Sequence, residues 1–127
     1  MHKQEIFAVL LVIIFPVAIV WAAFSYQSSL KQANTVQLIA QAPEKGNFSP
    51  RTIKIKKGKE VTLVIRNVDV KSHAFIVPQL GIRVKEIKAG ELEKVTFTID
   101  EEGKYPFYCS VWCSDYHMQM KGTLIVE

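Results

Sequence analysis

The stretch GKYPFYCSVWCSDYHMQMKG, residues 103–122, decides how this chain is read. It opens as an aromatic strand, Tyr105-Pro106-Phe107-Tyr108, and ends at Gly122 before the β-branched run Thr123–Val126. Between them Cys109, Cys113, His117 and Met120 follow one another as Cys-x3-Cys-x3-His-x2-Met, all on one inter-strand loop. The protein's 2 cysteines are both here, and another histidine, His73, begins a second strand-like run in Ser72-His73-Ala74-Phe75. Two thiolates, two imidazoles and one thioether form a soft nitrogen–sulfur donor set, suited to copper and ill suited to calcium or magnesium. A blue single-copper site takes one thiolate with two histidines and a weak axial methionine. The second cysteine is therefore the discriminating residue, because two thiolates on a tight loop can bridge a pair of metal ions.

Two duller readings compete. The cysteines could form a disulfide if the domain is exported to an oxidising compartment, but a disulfide gives no reason for His117 and Met120 at their offsets. A Cys2His2 zinc site satisfies the ligand count and leaves Met120 idle. Met118 reads as core or surface filling, and Trp112 as packing beside the site, with electron arrival as the alternative role.

Outward from this loop the pattern is period-2 and rich in β-branched residues. Strands are predicted near Val36–Ala40, Thr52–Lys56, Val61–Asn67, Ala74–Val77, Arg83–Ile87, Val95–Ile99, Tyr105–Cys109 and Thr123–Val126. Turn residues punctuate them, among them Pro43 to Gly46, Lys57-Gly58-Lys59, Pro78 to Gly81 and Ala89-Gly90. Short strands at this spacing predict an all-β antiparallel sandwich or barrel over residues 35–127, a domain of viable size for a sandwich.

At the other end, residues 6–24 (IFAVLLVIIFPVAIVWAAF) carry no charge. As a helix the run would be about 28 Å long, close to the roughly 30 Å hydrocarbon core of a bilayer. Its length exceeds that of an ordinary leader, so residues 1–26 are read as an uncleaved membrane anchor, with a cleaved signal peptide as the alternative. Trp21 and Tyr26 fall where an interfacial aromatic belt is expected, and Lys3 on the short side predicts an inside amino terminus. Residues 27–34 are polar and read as a stalk. The chain is basic, with net charge +4, yet it has no aromatic-interleaved basic motif, and nucleic acid is not expected as a partner.

Several stretches together carry a family resemblance. They are Asn47-Phe48-Ser49-Pro50, Ile53-x-Ile55-x-x-Gly58-x-x-Val61, Asp69-Val70-x-Ser72-His73-x-Phe75-x-Val77 and the run from Gly103 through Gly122. They are similar to the CuA domain of cytochrome c oxidase subunit II, a cupredoxin Greek-key β-sandwich; the single anchor resembles the small B-type form. The loop from Trp112 to Gly122 also resembles the CuA domain of nitrous oxide reductase. The resemblance implies two copper ions bridged by Cys109 and Cys113, with His73 on one ion and His117 on the other. It further implies Met120 as a weak axial ligand on the copper carrying His73 and the Val111 backbone carbonyl as the weak ligand on the second. The implied role is a one-electron relay without a turnover site of its own, taking electrons from a cytochrome c or cupredoxin donor. It would pass them to a haem-containing oxidase subunit I, from a copper domain outside the cytoplasmic membrane. A stand-alone carrier serving another reductase and a copper-handling protein are the alternatives. Beyond Trp112, no aromatic docking cluster is evident in the sequence.

Overall fold

Apolar patterning and turn chemistry produce two separate units, Met1–Ala33 and Asn34–Glu127, in a computed structural model that describes residues 2–32 and 34–127. The first is one α-helix, α1, Lys3–Gln32. Its Lys3–Ser28 portion is long and apolar enough to cross a membrane, and none of it is buried against protein. Pro16 lies within it without ending it. The helix also runs through residues 27–32, so most of the predicted stalk is helical. Gln, Ser, Leu and Lys are adequate helix formers, and a helix already nucleated upstream extends through them at little cost.

The second unit is an eight-stranded β-sandwich. Its strands are β1 (Thr35–Ala40), β2 (Thr52–Ile55), β3 (Glu60–Asn67), β4 (His73–Val77), β5 (Ile82–Ile87), β6 (Leu92–Thr98), β7 (Gly103–Tyr108) and β8 (Lys121–Val126). One sheet has the order β1-β3-β6 and the other β2-β8-β7-β4-β5. All eight predicted strands are present, with ends shifted by a few residues. The wholly antiparallel expectation is corrected at two places: β1 runs parallel to β3, and β2 parallel to β8. Side-chain alternation has the same period in both arrangements, so it reports which face is buried and not which way the neighbour runs.

Alternation places Val61, Leu63 and Ile65 of β3 in the core, facing Ile53, Phe75, Phe107, Leu124 and Val126 of the other sheet. At the centre Phe48, from the β1–β2 connection, meets Phe75 edge-on (6.0 Å between centroids, 90°) and Phe107 likewise (5.3 Å, 77°). Phe75 lies two residues after His73 and Phe107 two before Cys109, so this aromatic triangle ties together the strands that carry the candidate ligands. Gly122 makes room for it: a Cβ there would collide with the Phe107 ring and the Arg51 carbonyl. Removing a buried ring of this kind costs about 3–5 kcal/mol. Phe48→Ala is expected to lose that much stability in denaturant titration of the metal-free protein, and a loss below about 1 kcal/mol would show that the triangle is not the anchor of the core.

Candidate metal centre

Two loops at one end of the sandwich supply the polar and sulfur atoms. The first is the turn between β3 and β4. Its side-chain organiser is the buried Asn67, whose Nδ2 donates to the Lys71 and Ile87 carbonyls (2.7 and 2.8 Å) while Oδ1 accepts from the Asp69 N–H (2.8 Å). The register of β4 against β5 shifts between His73 and Phe75, a bulge at the first residue of β4. The second loop runs from the end of β7 to β8. It is closed by the Cys109 N–H donating to the Met120 carbonyl (3.1 Å). A short 3-10 turn, His117–Gln119, follows Ser114, whose carbonyl accepts from the His117 N–H.

These loops bring together all six residues named from the sequence. Ligand atoms of His73, Cys109 and Cys113 lie within 4.8 Å of one another, and all three residues are buried. His117 Nδ1 is 3.5 Å from Cys113 Sγ, Met120 Sδ is 3.6 Å from the same sulfur, and the Val111 carbonyl is 3.3 Å from Cys109 Sγ. The Ala74 N–H points at Cys109 Sγ (3.3 Å), as it would at a thiolate. Both cysteines are free thiols. Burial, and then the neighbouring Cys109, push the Cys113 thiol up to about 12, so a metal that takes this sulfur as a thiolate has to displace its proton.

Asp69 holds the His73 side in place. Its buried carboxylate accepts from the Ala42 N–H (2.9 Å), Lys45 Nζ (2.6 Å) and the Val70 N–H (2.7 Å), and pairs with His73 Nε2 (3.1 Å). Burial alone would raise its pKa. The hydrogen bonds from Lys45, Ala42, Val70 and His73 together outweigh it and hold the carboxyl well below the usual carboxylate range. Burial is also the main influence on His73 and lowers its pKa, against the opposing pull of Asp69. With Nε2 engaged, His73 Nδ1 is, among the described residues, the one buried side-chain nitrogen or oxygen with no hydrogen-bond partner. An orphaned imidazole nitrogen beside two free thiols and a thioether is the donor set of a soft transition metal, and the residues present fit copper.

Sequence reading missed some of what surrounds this cluster. Asp69 and Asn47 stood in quoted motifs without a role; their signal was a short polar residue beside a ligand or turn, which many surface loops share. Trp112 does not pack beside the site as expected. It is 66% exposed, with Lys71 Nζ 4.9 Å from its ring centroid. Met118 is surface and not core, at 83% exposed, and Val68, Val70 and Tyr116 are exposed on the same two loops.

The sandwich and its pooled thiol, imidazole and thioether groups define a cupredoxin-like copper electron-transfer domain. The chain belongs to the cupredoxin-like domain family, whose model matches residues 14–126. It is 38% identical over 96 residues to the nitrous-oxide reductase of Ralstonia nicotianae, covering 73% of this chain and 14% of that protein. It is 32% identical over 80 residues to cytochrome c oxidase subunit 2 of Thermus thermophilus, covering 63% of this chain and 58% of that subunit. A solved haem-copper terminal oxidase dimer contains a chain that superposes with a TM-score of 0.64 at 20% identity, covering 98% of this chain and 97% of that one. The chain thus spans a small part of the reductases and somewhat over half of the oxidase subunit.

The Asp69 network makes a prediction about pH. Because the native carboxyl titrates below its unfolded value near 4, its stabilisation is complete above that value and fades as pH falls further. Metal-free Asp69→Asn should be less stable than the parent at pH 7, with the difference narrowing below about pH 4 in denaturant titrations. A gap that stays constant from pH 7 to 3 would contradict the network.

Proposed function

We propose that the chain is a membrane-anchored CuA electron relay, the subunit II of a haem-copper oxidase, holding two copper ions. One observation carries this reading: two free, buried thiols share one cluster with the unpartnered nitrogen of His73, and with His117, Met120 and the Val111 carbonyl at its margins. In this reading Cys109, Cys113, His73 and His117 would hold the two ions, the thiolates shared and one imidazole to each, with Met120 and the Val111 carbonyl as the weak ligands. Copper, when bound, supplies a one-electron couple. The chain's own task is to keep the ligands from rearranging as charge changes, and buried loops braced on a sandwich core suit it. The exposed Val68, Val70, Trp112, Tyr116 and Met118 form an apolar surface on the ligand-bearing loops, edged by Lys71. It fits an electron donor with an apolar rim around its own redox centre, a cytochrome c or another cupredoxin. Helix α1 would cross the cytoplasmic membrane once with its amino terminus inside, so that the copper domain meets that donor on the extracytoplasmic side. The electron acceptor in this reading is a haem-containing subunit I.

The higher identity to nitrous-oxide reductase favours a second reading, an anchored CuA carrier serving another reductase. Purification from solubilised membranes separates the two: recovery with a haem-containing subunit I supports the oxidase, and recovery with other partners or alone supports the carrier.

Copper-loaded protein is expected to hold two coppers per chain and to show the purple absorption and electron paramagnetic resonance of a mixed-valence pair. Met120→Leu should keep both coppers and shift the reduction potential, since an axial thioether mainly tunes it. Cys113→Ser should leave one copper or none. A wild-type stoichiometry of one copper, or equal copper loss in the two variants, would overturn the binuclear assignment. At the docking surface, Trp112→Ala should slow reduction by the donor on the order of tenfold, as loss of an interface anchor does, without moving the potential.

A further inference from the structure

Asn47 lies in the connection between β1 and β2, far in sequence from any candidate ligand. It is 1% exposed and has a positive φ of 67°, a backbone region that asparagine tolerates better than most residues. Both ends of its amide are used. Oδ1 accepts from the Phe48 N–H (2.7 Å), and Nδ2 donates to the Gln119 carbonyl (2.7 Å), across 72 residues of chain. Gln119 ends the 3-10 turn and directly precedes Met120, which is itself 1% exposed. On one side, then, Asn47 is secured by Phe48 in the aromatic triangle. On the other it grips the peptide unit that orients the Met120 side chain.

We propose that Asn47 is a positioning residue for the metal centre, holding Met120 against Cys113 in advance of the metal. The same connection reaches the opposite ligand loop, because Ala42 and Lys45 bind Asp69, which holds His73. The β1–β2 connection is thereby a brace between the two ligand-bearing loops, with Asn47 as its contact to the methionine side. A part-buried hydrogen bond to the Gln119 carbonyl resists sliding of the turn, and a thioether bonding weakly to a metal needs such support because the metal itself orders it little.

This inference rests on the CuA reading for its copper readout but not for its structural one. Asn47→Gly deletes the amide and keeps a residue at ease with positive φ. Asn47→Asp keeps the shape and the Oδ1 acceptor while replacing the donor with an oxygen, and it serves if the glycine variant fails to fold. In metal-free full-length protein in detergent micelles, amides of residues 117–120 should exchange about tenfold faster in the variant, as for loss of one hydrogen bond, while those of β7 and β8 keep their rates. After copper loading, the potential should shift in the direction seen for Met120→Leu, and the double variant should show no further shift. Unchanged exchange at residues 117–120 overturns the proposal whatever copper does. Faster exchange with fully additive potential shifts also overturns it, reducing Asn47 to a general structural tie. If the wild-type chain binds no copper, the CuA reading falls, and the exchange comparison still decides whether Asn47 holds the loop.

Discussion

A buried carboxylate has to be paired on every side or it will not stay buried, and the metal end of this domain is built around meeting that demand for Asp69. Its four partners come from three places in the chain: the Ala42 N–H and Lys45 from the β1–β2 connection, the Val70 N–H from its own turn, and His73 from β4. Satisfying one charge therefore sets the spacing of three segments at once. It also consumes Nε2 of His73, which decides that Nδ1 is the nitrogen left over. A second-layer carboxylate that orients a ligand imidazole and raises its basicity is a general device at metal sites.

From that arrangement follows an asymmetry between the two histidines. His73 is wholly enclosed and fixed through its ring nitrogen to Asp69, whereas His117 is half-buried at the start of a short 3-10 turn. The enclosed side is tied to the core and the open side to the exposed loop bearing Trp112, Tyr116 and Met118. In the proposed relay, electrons would arrive where side chains are accessible and leave from the side that the core holds still. Burial of Cys109, Cys113 and Met120 keeps water from the sulfurs, and low water access limits solvent reorganisation around a changing charge.

The exposed apolar groups follow from the direction of the buried ones beside them. Val68 and Val70 flank Asp69 in a turn, and in the linear pattern they look like the end of the β3 alternation. Asp69 turns inward to its partners, and its two neighbours are left facing solvent, at 51% and 79% exposure. The alternation of β3, with Val61, Leu63, Ile65 and Asn67 inward, continues through Asp69, so the valine on either side of the buried charge falls on the outward face. Trp112 follows the same logic, since Cys113 must point into the cluster and its neighbour is turned outward beneath Lys71.

Read from the sequence alone, a candidate donor set of two cysteines, two histidines and a methionine was legible because a disulfide leaves His117 and Met120 unexplained and a zinc site leaves Met120 idle. The eight strands were legible because alternation and turn residues are local properties, and α1 because its apolar run is as long as a bilayer is thick. Strand direction was not, nor the helical continuation through Gln32, since neither is encoded in which face of a residue is apolar. What only the tertiary structure decided is how His73 meets a loop some forty residues away, and which residues hold the two together. Asn47 and Asn67 bond to backbone groups, as Asp69 does in part beside its bonds to Lys45 and His73, and backbone groups are identical at every position of a sequence. Their selection appears only when the chain is folded.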